Sequence, residues 1–368
     1  MDITAAVVSE PGGAFKLEQL QLTDPRDDEV LVRIVGVGLC HTDLICRDQL
    51  YAVPLPAVLG HEGSGVVEAV GAAVTDLTPG DHVVLSFHAC GECKNCVQGL
   101  PSRCVNLFES NFAGTRADGT CALSHDNGAI HGHFFAQSSF ATYALANRSN
   151  TIKVDQDVPL ALLGPLGCGF QTGAGAVINT LKPSAGSSLA VFGCGSVGLA
   201  AVMAAALQGC GTIIAVEPHE ARRTLALELG ATHAIDPGEV DPVQFIQNLT
   251  EGGGDFSLEC TANPKVLRQA VEALTVTGTC ALIGAAPMGT EVSLDMNSIM
   301  FGRTLTGVIE GDSVPSQFIP KLVALFKQGR FPLDKLVTFY PLEDIERAVH
   351  DSEEGRVVKA VLQPGSHT

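Results

Sequence analysis

Past residue 170 the chain alternates short apolar runs with helix-patterned stretches. A run at 188–192 precedes a helical pattern over 197–207, a run at 213–216 precedes 220–229, a run at 256–259 precedes 264–274, and a further run follows at 280–283. A strand that leads into a helix cannot turn tightly into an antiparallel partner, and the crossover carries the chain back to lie parallel. The order therefore predicts βαβ units and a doubly wound parallel sheet, an α/β fold. The first junction reads Gly193-Cys194-Gly195-Ser196-Val197-Gly198. A G-x-G-x-x-G is weak by itself, but between a predicted strand and a predicted helix it is the fingerprint of a dinucleotide site. Its glycines let backbone N–H groups and the positive end of the helix meet a pyrophosphate. The next run ends at Glu217, nineteen residues beyond Gly198. A carboxylate there can hold both ribose hydroxyls and repel a 2′-phosphate, so NAD is expected over NADP.

The first third reads differently. Val-rich runs at 29–37 and 65–70 lie between Gly, Pro and Asp turns, and a helix at 317–328 with a strand at 357–362 follows the α/β block. With 368 residues the prior is two domains. The pattern predicts a β-rich domain of residues 1–169 and 312–368 into which an α/β domain, residues 170–311, is inserted. A formal net charge of -18 argues against nucleic acid and against anionic membrane surfaces, whose binders carry basic faces. The start, Met1-Asp2-Ile3-Thr4, has neither the basic nor the apolar segment of a secretory signal. The most apolar stretch, 190–207, is interrupted by glycines and Ser196, so a cytoplasmic protein is expected.

There are twelve cysteines, and a reducing compartment makes their spacing more telling than their number. Cys90, Cys93, Cys96 and Cys104 form C-x2-C-x2-C-x7-C. Four thiolates so close can enclose one Zn2+ tetrahedrally with no room for water or substrate, a structural site; an iron–sulfur cluster is the alternative, since such cysteine spacings also begin ferredoxin runs. Cys40, His61 and Cys168 are scattered, and each alone could be inert core.

Together with Gly60-His61-Glu62-x2-Gly65-x5-Gly71 and the downstream quartet, however, they give a chain that resembles the zinc-containing medium-chain alcohol dehydrogenases over essentially its whole length. The segments Cys40-His41-Thr42-Asp43-Leu44-Ile45, 54–62 and 134–143 are similar to those of aryl (benzyl) alcohol dehydrogenases. The resemblance implies a GroES-like catalytic domain beside a Rossmann domain, with two zincs per chain. Cys40, His61 and Cys168 would hold the catalytic zinc and leave its fourth position open, the geometry that lets a bound hydroxyl lose its proton near neutral pH. Glu62 would be a transient further ligand, Asp43 the acceptor that fixes the imidazole tautomer, and Thr42 the hydroxyl that takes the substrate proton. His41, Thr172, Gly193, Gly195, Val197, Gly198, Glu217, Arg222 and Lys359 fall at cofactor-facing positions. Ile45 stands where many relatives place a relay histidine and cannot titrate, so the proton must leave by another route.

The expected reaction is the NAD-linked interconversion of a primary aromatic or allylic alcohol and its aldehyde. A general or terpenoid (geraniol) dehydrogenase and a glutathione-dependent formaldehyde dehydrogenase are alternatives. The second needs cations at the pocket mouth, where Glu109, Arg116 and Asp118 are expected to leave an acidic balance. A zinc-stapled nucleotide-binding protein without catalysis is disfavoured by the complete ligand set. Tyr51, Phe87, Phe108 and Phe134 are candidates for an aromatic pocket. A homodimer or homotetramer is expected, joined through a last strand at 305–309, with the loop at 117–133 resembling that of dimeric relatives.

Overall fold

The computed structural model describes residues 1–125 and 128–365, which form two compact units. Residues 126 and 127, within the stretch expected to resemble the loop of dimeric relatives, lie outside the described residues. The first unit holds Met1–Cys168, Val314–Gln328 and Leu333–Thr368; the second holds Gly169–Ser313 with Gly329–Pro332.

The second unit carries a six-stranded sheet in the order His233–Ile235, Thr212–Val216, Ser188–Phe192, Gly254–Glu259, Leu274–Leu282, Thr304–Gly307. Every neighbouring pair is parallel. Counted along the chain this is the order 3-2-1-4-5-6, which places the first strand beside the point where the winding reverses. Buried Ala190, Phe192, Ile214, Val216, Leu267 and Leu274 belong to its core. The helix Ser196–Gln208 is buried along Gly198–Ala205, which accounts for an apolar run that contains no charge. No helix among the described residues is long and apolar enough to cross a membrane.

The first unit is built on two mainly antiparallel sheets. Ala57–Val58, Asp2–Val8, Lys16–Leu22, Leu123–His125 and Gly128–Ile130 form one. The other centres on the ten-residue strand Glu29–Gly38, flanked by Gly63–Val70, Tyr143–Asn147 and Lys359–Gln363. One continuous apolar core links them through Val7, Val32, Leu59, Phe134, Phe140 and Leu362. The terminal strand begins at Lys359, two residues later than its apolar pattern suggests, and the edge strand of the parallel sheet ends at Gly307, so Val308 and Ile309 lie beyond it.

Candidate active site

Cys40, His61, Glu62 and Cys168 bring one ligand atom each to within 4.8 Å of one another. Three stretches far apart in sequence supply them. Cys40 is the N-cap of the short helix His41–Arg47, and its cap is a capping box in which the Asp43 side chain accepts from the Cys40 N–H at 2.9 Å. The other Asp43 oxygen, Oδ1, accepts from the Gly60 N–H at 3.1 Å and lies 2.9 Å from His61 Nδ1. One buried carboxylate thus ends a helix, holds the loop before His61 and orients the imidazole, the arrangement that presents Nε2 to a metal. That Nε2 is buried and has no hydrogen-bond partner among the described residues.

The Cys40 thiol is held well below its ordinary pKa by hydrogen bonding with Cys168, against the effect of burial and with help from His61 and Lys359. The Thr42 hydroxyl lies 3.8 Å from the Cys40 sulfur. His41 is exposed and Ile45 is buried on the same helix. Lys359 Nζ contacts both Glu62 oxygens, at 3.1 and 2.9 Å, and donates to the Leu39 carbonyl at 3.0 Å. Burial works against its charge, but Glu62 and the two sulfurs keep the ammonium protonated. The structure therefore places Lys359 on Glu62.

Rings cover the imidazole. Phe135 stacks on His61 at 4.4 Å between centroids and Phe134 meets its edge at 5.4 Å. Phe112 touches both phenylalanines, stacks on Phe108 at 4.4 Å and meets Tyr51 at 6.0 Å. Of the expected pocket residues, Phe134 and Phe87 are fully buried, whereas Phe108 is 45% exposed and Tyr51 half-buried.

The rim expected to be acidic is not one. Arg116 is buried in a two-pronged pair with Glu29, at 2.6 and 2.8 Å, and Asp118 pairs with Arg26 at 2.8 Å. With Glu109 they line a separate concavity, beside Glu29, His88 and Cys90, that none of the three scattered ligands borders. These charged side chains, close together in sequence, have partners elsewhere in the chain.

The quartet closes on itself. Cys93 lies 3.5 Å from Cys96 and 4.0 Å from Cys104, and Cys104 lies 3.4 Å from Cys90, sulfur to sulfur. Four ligands about 2.3 Å from one zinc sit about 3.8 Å apart. Backbone N–H groups of Cys96 and Val105 draw the Cys93 thiol down to about 6, while burial pushes Cys96 up to about 12. Four such thiols ionise together only around a cation. All twelve cysteines are free.

In the second unit the glycine loop leaves the strand Ser188–Phe192 at Gly193, whose φ of +91° suits glycine. Gly195 is the N-cap of the following helix, and a Cβ there would meet open space. Val197 and Gly198 lie in the first turn, where a Cβ on Gly198 would come 2.0 Å from the Gly193 carbonyl oxygen. Glu217 is 3% exposed; its carboxylate accepts from the Cys194 N–H at 2.7 Å and the His219 N–H at 3.0 Å. Burial and Glu217 push the Cys194 thiol far up, and Arg222 opposes them. Arg223, not singled out by sequence, donates to the Glu217 and Pro218 carbonyls and pairs with Asp236 at 2.9 Å. Thr172 is buried in the helix Gly169–Gly175.

Both donor sets fit zinc: an orphaned imidazole nitrogen beside two thiols in the first, four thiols at tetrahedral spacing in the second. The open face at Gly195 and the carboxylate of Glu217 fit a dinucleotide. Sequence reasoning missed Gln137 and Ser86, which tie the ligand segments together, because lone polar residues in apolar stretches carry no spacing signal.

Comparison with known proteins agrees. Residues 26–156 match the alcohol dehydrogenase GroES-like domain and residues 196–328 the zinc-binding dehydrogenase domain. A geraniol dehydrogenase of Castellaniella defragrans is 47% identical over 361 residues, 97% of this chain and 96% of that protein. The crystal structure of benzyl alcohol dehydrogenase from Acinetobacter calcoaceticus is 50% identical with a TM-score of 0.96, covering 99% of this chain and 100% of that one. An alcohol dehydrogenase zinc-binding domain protein from Burkholderia ambifaria is 55% identical, TM-score 0.97, over 99% of both chains. The chain belongs to the zinc-containing medium-chain alcohol dehydrogenases.

Proposed function

We propose that this zinc-dependent alcohol dehydrogenase oxidises, with NAD, primary alcohols whose carbinol carbon is joined to an aromatic ring or to a carbon–carbon double bond. The observation that carries this reading is the run of rings from the ligand imidazole outward, Phe135, Phe112, Phe108 and Tyr51. Flat π-faces favour a conjugated, apolar substrate over a small alkanol. Relatives named for benzyl alcohol and for geraniol share that chemistry.

Cys40, His61 and Cys168 would hold the catalytic zinc and the cysteine quartet a second, structural one. When bound, the catalytic metal supplies Lewis acidity that lowers the pKa of an alcohol hydroxyl. The residues do the rest. Asp43 keeps the proton on His61 Nδ1 and so leaves Nε2 free to ligate. Thr42 Oγ1, beside the Cys40 sulfur, would accept a hydrogen bond from the alcohol hydroxyl and hand its own proton on to water as the alcohol's arrives, while the packed rings exclude water from the face of the imidazole. Ile45 accepts no proton, so the relay has no titratable side chain at that position. Glu217 receives the adenosine ribose and disfavours a 2′-phosphate; with Glu217→Ser the NADP/NAD ratio of kcat/KM is expected to rise about ten- to hundredfold, as for loss of a charged hydrogen bond.

The twelve free thiols support a reducing, cytoplasmic setting. A homodimer or homotetramer is supported by the strand Thr304–Gly307 standing at the edge of its sheet, and by exposed Met296, Met300 and Phe301 before it. Light scattering at micromolar concentration tests it, and a monomer refutes it.

The substrate reading is tested with a panel of ethanol, benzyl alcohol, geraniol and S-hydroxymethylglutathione. Benzyl alcohol and geraniol are expected to exceed ethanol in kcat/KM by about a hundredfold, the scale of discrimination a well-filled apolar pocket gives. Preference for ethanol or for the glutathione adduct would overturn it.

A further inference from the structure

We infer that Gln137, acting through Ser86, is the positioning residue that sets the separation of His61 and Cys168 at the catalytic metal site. The inference rests on Cys40, His61 and Cys168 being the ligand set.

The Gln137 side chain is 2% exposed and uses its whole bonding capacity, two donors and two lone pairs. Oε1 accepts from the Gly63 N–H at 3.1 Å and from the Ser139 hydroxyl at 2.7 Å. Nε2 donates to the His61 carbonyl at 2.9 Å and to the Ser86 carbonyl at 3.1 Å. One amide therefore grips the backbone on both sides of Glu62 and reaches a second strand end. Ser86 carries the tie onward: its hydroxyl donates to the carbonyl of Gly167, the residue before Cys168, at 2.6 Å. A single buried chain of hydrogen bonds thus joins the backbone of one ligand to the backbone beside another.

It complements the Asp43 tie. Asp43 links Cys40 to His61 through the Cys40 N–H and the imidazole; the Gln137–Ser86 chain links His61 to Cys168. Two of the three ligand pairs, Cys40–His61 and His61–Cys168, are thus each joined through a polar hub, and each hub is fully buried, where a hydrogen bond is hard to replace by water.

The loop that presents Gln137 bears this out. His133, Phe135, Ala136 and Ser138 all have positive φ, between 51° and 57°. Such backbone persists for non-glycine residues only where the surroundings over-determine it, and it concentrates at functional sites. The distortion delivers two things to one place: the Phe135 ring onto the face of His61 and the Gln137 amide onto its carbonyl.

The test measures metal rather than turnover. Zinc release to a chelator is followed in the full-length enzyme, and the phase belonging to the catalytic site is the one that Cys168→Ser abolishes. If Cys168→Ser abolishes no phase, the ligand assignment fails, and the hub proposal falls with it for a separate and visible reason. With that phase identified, Gln137→Met is expected to release its zinc about ten- to hundredfold faster, the usual cost of losing an outer partner of a ligand, and to shift the visible bands of the Co2+-loaded site. Asn111→Ala controls for merely losing a buried amide, because Asn111 is equally buried and, among the described residues, bonds only the backbone of His88 and Leu107. It should lower thermal stability and leave release from the catalytic site unchanged. Ser86→Ala cuts the step to Gly167 while keeping the Ser86 carbonyl that Gln137 uses, and should speed release in the same direction by a smaller factor. Wild-type release and cobalt bands in Gln137→Met overturn the proposal whatever its melting temperature. Should that variant not fold, Ser86→Ala decides alone: faster release supports the proposal and wild-type release overturns it.

Discussion

The two cysteine-rich centres of the first unit are built on opposite plans. The quartet lies within residues 90–104, half-exposed except for Cys104, and its sulfurs meet within that stretch. Its thiols are tuned by backbone N–H groups from within the same loop, from Glu92 to Val105. The proposed catalytic set spans residues 40 to 168, lies under aromatic rings, and is hydrogen-bonded by Asp43 and Gln137 from yet other segments. A local site organises its own loop and asks little of the fold. A distributed site needs the fold first, and in return can leave one ligand position open, since the scaffold rather than the metal keeps the ligands apart. Removing metal from the first should therefore cost structure, and from the second chemistry.

The largest expected effect tests that division directly. Cys40→Ser, His61→Ala and Cys168→Ser should each lower kcat by at least about a thousandfold, since Lewis-acid catalysis contributes several kcal/mol, while circular dichroism and NAD binding stay as in wild type. A ligand variant with full turnover and one zinc fewer would break the comparison. Next comes Cys96→Ser, which should lower the melting temperature by about 5 °C or more, because a closed site contributes folding energy. Unchanged stability would make the quartet dispensable.

The lobe's other anchor is the buried Arg116–Glu29 pair. Burial opposes ionisation of Glu29, but the hydrogen bonds from Arg116 and His133 outweigh it and hold the carboxyl far below its ordinary value. A carboxyl lowered in the folded state adds stability above its unfolded pKa of about 4.5, and that stability is lost as the pH falls through the folded value. Glu29→Gln should cost about 3 kcal/mol at neutral pH, the low end for breaking a buried pair, and flatten the acid limb of the stability profile. Equal acid sensitivity in the two proteins would contradict this. The smallest effect concerns Ile45. Ile45→His should change kcat by less than about tenfold, yet add an ionisation near 6.5 to its pH profile. Identical profiles would rule out a relay role for the position.

Much of this was legible in the chain. The parallel strands were readable because βαβ units are local, and the strand Ser188–Phe192 coincides with its apolar run. The helix His41–Arg47 was not read, because seven residues carry too little periodicity and its cap is written Cys40-x-x-Asp43 rather than with serine or threonine. Charges misled most: Arg116 and Asp118 stand two apart in sequence, but one is buried on Glu29 and the other pairs at the surface with Arg26.

The sequence by itself determined which chemistry is present. Cysteine spacing, a glycine loop between a strand and a helix, and a carboxylate at the next strand end are short-range patterns, and short-range patterns survive without the fold. Only the tertiary structure decided how that chemistry is held: Lys359 on Glu62, Phe135 over His61, and one amide, Gln137, between two ligand segments. Gln137 lies 76 residues from His61 and 51 from Ser86, and Lys359 lies 297 residues from Glu62. Burial selects such partners by shape and by the cost of leaving a polar group unpaired, and neither quantity is written in the order of the residues.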